Sequence, residues 1–360
     1  MTNVFQNLWR HARSAIRNHG LLGTARLVVR GTIQSERIRR VARRSTIPPT
    51  GKRILVVRGA GIGDVVCTFP AVRALREKYP SSYIAYGTHA ANVPIVEMAN
   101  IADDVFALEW WNPVRLLART RFDHVFFPSY VDSTISGKTL HIAEQFANQL
   151  DVKLLTKQPI IEVSIDQKAV VSRLVNEFSF DGDGPKIAFH TGPTWVVREW
   201  PVSHWKSLGE LLHSKLRARI LHLGTSFHTD RGNTEVPQIP HAQSLVGKLS
   251  LVETAEVISC CDLFIGIDSG LLHIAGAVGT PSLAIFGSVI PSTRLPPTTP
   301  SIVACADLPC LGCQHEIPCG HWVSGCKNDI ACMREVTPEQ VTSLAINLLA
   351  KCASSIPLKP

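Results

Sequence analysis

Gly266-Ile-Asp-Ser-Gly-Leu-Leu-His-Ile-Ala-Gly-Ala-Val-Gly-Thr-Pro281 decides how the 360-residue chain is read. The apolar run Leu263-Phe264-Ile265 leads into it, and a small-residue helical pattern leaves it from Leu271. Strand, tight turn and helix N-terminus follow one another. The first N–H groups of such a helix lack intrahelical acceptors and lie at the positive end of its dipole, so the turn suits a phosphate or pyrophosphate. Asp268 and Ser269 are placed to cap the helix, and Gly270 lets a ligand approach the backbone. His273, on the first helical turn, is placed to reach the same ligand.

A second glycine-rich turn adds weight. Lys52-Arg-Ile-Leu-Val-Val-Arg58 has the pattern of a buried strand, Gly59-Ala-Gly-Ile-Gly-Asp64 is a turn, and Val65 to Tyr79 has helical periodicity through Val66, Phe69, Val72 and Leu75. Pro70 falls early enough in that helix to be tolerated. The glycines do not form G-x-G-x-x-G with an acid about 20 residues on, and no Lys-Ser/Thr pair follows, so neither a dinucleotide fingerprint nor a P-loop is present. Asp64 stands where a strand's carboxyl end meets a helix, the usual edge of an α/β site; it can also cap that helix.

Further strand patterns at Tyr83–Tyr86, Asp104–Leu108 and Phe122–Phe127 alternate with helical segments around residues 93–99 and 113–118. Such alternation predicts a parallel, doubly wound sheet. Asp181-Gly-Asp-Gly-Pro185 reads as a linker. A second alternation follows: a strand at Lys186–His190, a helix over Val202–Leu216, a strand at Arg219–Leu223, a helix over Leu251–Ser259, the opening stretch, and a strand at Ser282–Phe286. Two Rossmann-like halves make a cleft between domains the expected site.

Apolar content of 45% and charged content of 18% are globular values. No run of 18 apolar residues is present and the N-terminus lacks the apolar core of a secretory signal, so the bulk of the protein is read as cytoplasmic. The net charge of +8 is unevenly placed: residues 1–50 hold ten arginines and one acid, Glu36, and leave residues 51–360 at −1. Phe5, Leu8, Trp9, Ala12 and Ile16 recur at helical spacing with Arg10, Arg13 and Arg17 on other faces. This basic amphipathic leader suits an anionic bilayer surface, or else packs on the body with its arginines solvated. No nucleic-acid-binding motif accompanies it, so nucleic acid is not an expected partner. Ser45 to Gly51, with Pro48-Pro49, reads as its linker.

Taken together, four blocks resemble glycosyltransferase family 9, the ADP-heptose:lipopolysaccharide heptosyltransferases. They are Ile54-Leu-Val-Val-Arg58 with Gly61-Ile-Gly-Asp64 through Leu75; His190 through Arg198-Glu-Trp-Pro201; Leu245 to Asp268-Ser-Gly-Leu-Leu-His273 and on to Phe286-Gly287; and the cysteine-rich tail from Cys310 to Val341. The resemblance covers most of residues 51–350. It implies an α/β GT-B fold, two facing Rossmann-like domains with a cleft between them, and inverting, metal-independent transfer from a nucleotide sugar. The implied division is a leader and linker (1–50), an acceptor domain (51–182) and a donor domain (183–350), with a final helix packing back on the first domain. Asp64 matches the family's catalytic base, which takes a proton from an acceptor hydroxyl as that oxygen attacks the anomeric carbon. Arg198 occupies the place of a phosphate-binding cation that is often Lys in relatives. Thr191 and Thr194 add hydroxyl donors, and Asp268, Ser269, Gly270, Leu271 and His273 match the donor-side loop. Relatives place an acid after the Gly224 strand to hold the ribose. Here that loop offers only His228 or Asp230, so ADP-heptose follows from the resemblance alone.

The implied acceptor is lipid-linked or a glycan, at the inner membrane face, with residues 1–45 holding the protein there. The alternatives are a hexosyl- or aminosugar transferase of the same fold and a non-catalytic nucleotide-sugar-binding protein. Six of the ten cysteines lie between 305 and 332. Cys310-Leu-Gly-Cys313 has the spacing of a metal knuckle that Cys319, Cys326 and Cys332 can complete; buried free thiols are the other reading. His315 and His321 are further candidate ligands, more commonly surface residues. The family's autotransporter-modifying branch resembles this segment with an iron-binding cysteine cluster. No cofactor is required for catalysis on this reading.

Overall fold

The computed structural model describes residues 51–59, 61–108, 121–129, 138–163, 183–192, 195–225, 236–297, 300–315 and 326–354. The leader and its linker, Thr194, Cys319, His228, Asp230 and His321 lie outside the described residues. The chain divides into two compact units.

The smaller unit, whose described residues fall in 51–59, 79–90 and 102–127, is a four-stranded parallel sheet. Its strands are β1 (Arg53–Val57), β2 (Tyr83–Thr88), β3 (Asp104–Ala107) and β4 (His124–Phe126), in the order β3-β2-β1-β4. Ile54, Leu55, Val56, Ile84, Ala85 and Tyr86 are fully buried, as the continuous apolar runs of a parallel sheet require. A recurring device sets the register. Asp103, just before β3, accepts the N–H of Ile84 at 2.7 Å, and Asp123, just before β4, accepts that of Arg53 at 2.7 Å. Each carboxylate thereby satisfies a donor near the start of the neighbouring strand.

The larger unit contains residues 60–78, 91–101 and everything from Pro128 onward. The helix expected over 65–79 is two helices, α1 (Ile62–Val66) and α2 (Phe69–Lys78). The break has a local cause. Pro70 has no N–H to give Val66, and the Thr68 hydroxyl takes the Val65 carbonyl at 2.7 Å. Thr68 then opens α2, its carbonyl accepting from Val72 N–H at 3.0 Å. Two more helices follow, α3 (Val93–Met98) and α4 (Ile142–Gln149). A capping box in which the His141 ring and Glu144 satisfy the first N–H groups starts α4.

A six-stranded parallel sheet comes next: β5 (Lys186–His190), β6 (Arg219–His222), β7 (Ala242–Ser244), β8 (Leu263–Ile267), β9 (Ser282–Ile285) and β10 (Ser301–Ala304), in the order β10-β9-β8-β5-β6-β7. The strand order turns back between β5 and β8, which pair His190 with Gly266 at their carboxyl ends. Ligands of open α/β sheets bind at such a switch point. Asp262 repeats the register device by accepting the Lys186 N–H at 2.7 Å. Helices α5 (Val202–Leu216), α6 (Leu251–Ser259) and α7 (Gly270–Ala277) alternate with the strands, and α8 (Ala331–Arg334) and α9 (Pro338–Ser354) end the described chain. Ser250 and Glu253 form the capping box that starts α6. Phe189, Trp200, Trp205, Leu208 and Ile265 share one core with Val341, Ala345 and Leu348, so α9 packs against the six-stranded sheet. Trp200 Nε1–H donates to the Val336 carbonyl at 2.9 Å, tying down the approach to that helix. No helix of the described residues is long and apolar enough to cross a membrane.

Candidate active site

The turn between β8 and α7 leaves the sheet at its switch point. Ser269 occupies the N-cap position of α7 with extended backbone, yet its side chain makes no capping bond. Its buried Oγ has no hydrogen-bond partner among the described residues. Asp268 does not cap either. It is 4% exposed and faces Arg198, whose Nη1 lies 3.2 Å from Oδ2, an ion pair that lacks hydrogen-bond alignment, and 3.5 Å from the Asp268 carbonyl. The capping expected of both residues is therefore replaced by an open helix end with a cation beside it.

Arg198 closes the short 3-10 turn Val196–Arg198, its N–H bonded to the Trp195 carbonyl at 2.8 Å. Its Nη2 donates to Oε1 of Gln314 at 2.7 Å. The side chain is 17% exposed, which strengthens its field relative to a solvated arginine.

The start of α7 abuts the start of α1. A Cβ on Gly270 would lie 2.1 Å from Ile62 Cγ2 and 3.1 Å from the Gly63 nitrogen, and one on Gly63 would lie 2.7 Å from His273 Cδ2. Both glycines are needed because the two backbones meet without room for a side chain. Asp64 follows Gly63 and is the third residue of α1, whose N-cap position is Gly61; it is half-buried. Asp64 thus starts from the same junction that Ser269 and Gly270 border. Leu271, the second residue of α7, is buried.

His273 is turned to the junction. Its Nδ1 lies 3.3 Å from the buried thiol of Cys67, and burial pushes its pKa down to about 4. The ring is neutral at pH 7 and offers a hydrogen bond rather than a charge. Thr191, at the exit of β5, has its hydroxyl 2.9 Å from Nε2 of His222. Burial lowers the His222 pKa to about 4, and that of His190 also falls, its ring held by the Leu223 carbonyl at 3.1 Å. A cavity of about 480 Å³ lined by Gly279, Pro281, Ile302 and Leu348 opens at the opposite, amino-end edge of β9 and β10 and holds none of these residues.

In the cysteine-rich segment, burial and the neighbouring thiols of Cys310, Cys313 and Cys326 push the Cys332 pKa up to about 11. The four sulfurs share one neighbourhood without being drawn into a coordination shell: among the described residues no group of three or more His, Cys, Asp or Glu is set to hold a metal ion. His315, expected at the surface, is 1% exposed, and its Nε2 accepts the Ile290 N–H at 3.1 Å. Cys67, His222 and Gln314 escape a reading of the sequence. Each meets its partner across 31 to 206 residues, and only Gln314, beside the C-x-x-C knuckle, has a neighbour that could have flagged it.

The sequence profile of glycosyltransferase family 9 (heptosyltransferase) matches residues 133–320, just over half of the chain. The chain belongs to this family. It is 31% identical over 318 residues to lipooligosaccharide heptosyltransferase 2 of Campylobacter jejuni (strain NCTC 11168), covering 80% of this chain and 95% of that protein. It is 27% identical over 133 residues to lipopolysaccharide heptosyltransferase 1 of Pseudomonas aeruginosa, an alignment that spans only 37% of that relative. Among solved structures, E. coli ADP-heptose LPS heptosyltransferase II superposes with a TM-score of 0.63 at 18% identity, over 84% of this chain and 99% of that one. The iron-containing dodecameric glycosyltransferase TibC of enterotoxigenic E. coli gives 0.62 at 15% identity, over 87% and 82%. These two likenesses carry the fold alone, which is the GT-B type expected of family 9.

Proposed function

We propose that this family 9 protein is an inverting glycosyltransferase. It moves a heptose-like sugar from a nucleotide-diphosphate donor to a lipopolysaccharide core or other glycan acceptor, with no metal in the transfer step. One observation carries the reading: the half-buried Arg198 guanidinium stands beside the uncapped start of α7, next to the helix that bears Asp64. ADP-heptose is the preferred donor because the E. coli relative is described as an ADP-heptose enzyme. The Asp64 carboxylate takes the acceptor hydroxyl's proton. The new C–O bond forms at the anomeric carbon as the bond to the diphosphate oxygen breaks on the opposite face. The charge left on the diphosphate is met by Arg198 and the first N–H groups of α7, with hydroxyls of Ser269, Thr191 and Thr194 adding hydrogen bonds. His273, being neutral, adds a donor or acceptor and no charge.

Residues 51–182 serve the acceptor and 183–350 the donor on this proposal. The basic leader holds the protein on the anionic inner face of the membrane. On this proposal a structural metal would draw together Cys310, Cys313, Cys326 and Cys332, whose described spacing is not that of a coordination shell, with Cys319 as a further candidate ligand; supporting this are the electrostatic proximity of four thiols and the iron reported for TibC. These thiols are a soft donor set, suited to iron or zinc.

The test is calorimetry with ADP, UDP and GDP together with transfer from ADP-heptose. Wild-type protein prefers ADP. Asp64→Asn keeps ADP affinity and lowers transfer by about 10²- to 10⁴-fold. Arg198→Ala weakens ADP by about 10- to 100-fold. A preference for UDP or GDP replaces the donor and favours a hexosyl- or aminosugar transferase. Unchanged turnover in Asp64→Asn refutes the base assignment, and nucleotide binding without any transfer leaves the non-catalytic binding protein.

A further inference from the structure

Gln314 lies in the 3-10 turn Cys313–His315 and is 5% exposed. Its Oε1 takes one arm of the Arg198 fork at 2.7 Å while the other arm faces Asp268. We infer that Gln314 is a positioning residue for Arg198, fixing the plane of the guanidinium so that its charge is presented to the leaving diphosphate. The inference rests on the function proposed above.

Three observations support it. First, the contact is anchored at both ends. The segment 287–290 leaves β9 beside the exit of β8, since Ile267 pairs with Ile285. The cysteine-rich turn is laced to that segment by three hydrogen bonds: Gly312 N–H to the Gly287 carbonyl at 2.9 Å, Gln314 N–H to the Ser288 carbonyl at 2.8 Å, and Ile290 N–H to His315 Nε2 at 3.1 Å. Gln314 therefore reaches Arg198 from a fixed base. Second, the acceptor is neutral. Asp268 already opposes the Arg198 charge; a second carboxylate would leave the cluster net negative, whereas an amide oxygen orients the guanidinium and keeps its charge. Third, the arrangement uses what distinguishes Arg from Lys. Two partners on separate elements are held at once by a rigid planar fork, which an ammonium on a flexible stem does not reproduce.

The experiment measures the Kd of the full-length chain for whichever of ADP, UDP or GDP the wild type binds best. Gln314→Ala, Gln314→Glu and Gln314→Asn are each made in the wild-type and Arg198→Lys backgrounds, with thermal melting alongside. Gln314→Ala is expected to weaken the nucleotide about 10-fold in the wild-type background and less than about twofold in the Arg198→Lys background, as coupled partners require. Gln314→Glu, which is nearly isosteric and guards against a folding defect, weakens binding more than Gln314→Ala because it adds a negative charge. The same loss in both backgrounds, or none in either, overturns the inference while leaving the proposed function standing. Wild-type protein that binds none of the three nucleotides defeats the proposed function and the inference with it.

Discussion

Replacing Gly270 by Ala tests the junction of α1 and α7 with a single methyl group. The added Cβ would lie 2.1 Å from Ile62 Cγ2 and 3.1 Å from the Gly63 nitrogen. Carbon atoms in contact settle at about 3.5–4.0 Å, so the first clash demands a displacement of roughly 1.5 Å. Turning Ile62 about χ1 moves Cγ2 aside at a cost of about 0.5–1.5 kcal/mol for an off-rotamer side chain. It does not move the Gly63 nitrogen, which is backbone, so α1 must also give by a few tenths of an ångström. Overpacking of this kind costs about 1–3 kcal/mol, and the better helix propensity of Ala returns up to about 1 kcal/mol of it. Net destabilisation is then about 1–2 kcal/mol, a fall of a few degrees in the melting midpoint.

On the proposed function, with Asp64 as the base, transfer suffers more than folding. Asp64 is one residue from Gly63 and travels with α1, while the uncapped N–H groups stay with α7. A misplacement approaching 1 Å between base and leaving-group site costs on the order of 10²-fold in rate. Gly270→Ala is therefore expected to melt within a few degrees of wild type yet transfer sugar from ADP-heptose about 100-fold more slowly. Ile62→Ala in the same chain removes Cγ2 and restores part of the loss. Transfer within twofold of wild type in Gly270→Ala, with melting unchanged, would show that the junction does not position the base. Loss of folding in both variants would instead mean that the contact is structural.

Two further outcomes follow from the same geometry. Burial lowers the pKa of His141, His222 and His273 to about 4 each, below the 6.5 of an unfolded histidine. Below pH 6.5 the unfolded chain takes up protons that the folded chain refuses, so this stability is whole above about pH 6.5 and drains away as the pH falls towards 4. Each ring removes about 1 kcal/mol by pH 5.5, and urea midpoints at pH 7.5, 6.5 and 5.5 should fall accordingly; a flat series refutes the neutral, buried assignment. For the thiols, protein purified under reducing conditions is expected to carry about one iron or zinc per chain, lost on replacing Cys310 and Cys313 together by Ser. Elemental analysis giving a stoichiometry near zero removes the metal site.

The strands were legible because their signal is local. Apolar runs such as Ile54–Val57 and Leu263–Ile267 are bounded by turn residues, and a parallel sheet buries them whole. β7, Ala242-Gln-Ser244, holds neither an apolar run nor a clear alternation, and β10, Ser301–Ala304, follows the proline-rich stretch Pro296 to Pro300 that reads as loop. α4 begins at a histidine cap rather than at Ser, Thr, Asp or Asn, so its start carries no ordinary signature. Continuity of the helix over 65–79 was misread because periodicity reports which face is buried and is blind to a carbonyl taken by Thr68.

The candidate site divides the same way. Asp268, Ser269 and Gly270 are neighbours by sequence, and the turn they form needs no tertiary information. What surrounds them does. The pairings Arg198 with Asp268, Arg198 with Gln314 and Cys67 with His273 span 70, 116 and 206 residues. Charge and residue type put Arg198 and Asp268 on a list of candidates, but a neutral amide or a thiol has no such mark. The consequence is chemical. Read from sequence, His273 is placed to reach the ligand of the turn and Asp268 is a cap; in place, His273 is a neutral ring between two helices and Asp268 holds the cation. On the proposed function, the charge near a leaving diphosphate comes from Arg198 beside the start of α7 and from the buried Arg294, which, after burial itself, lowers the His273 pKa together with Arg198. Whatever fixes the plane of the Arg198 guanidinium bears directly on the leaving-group step.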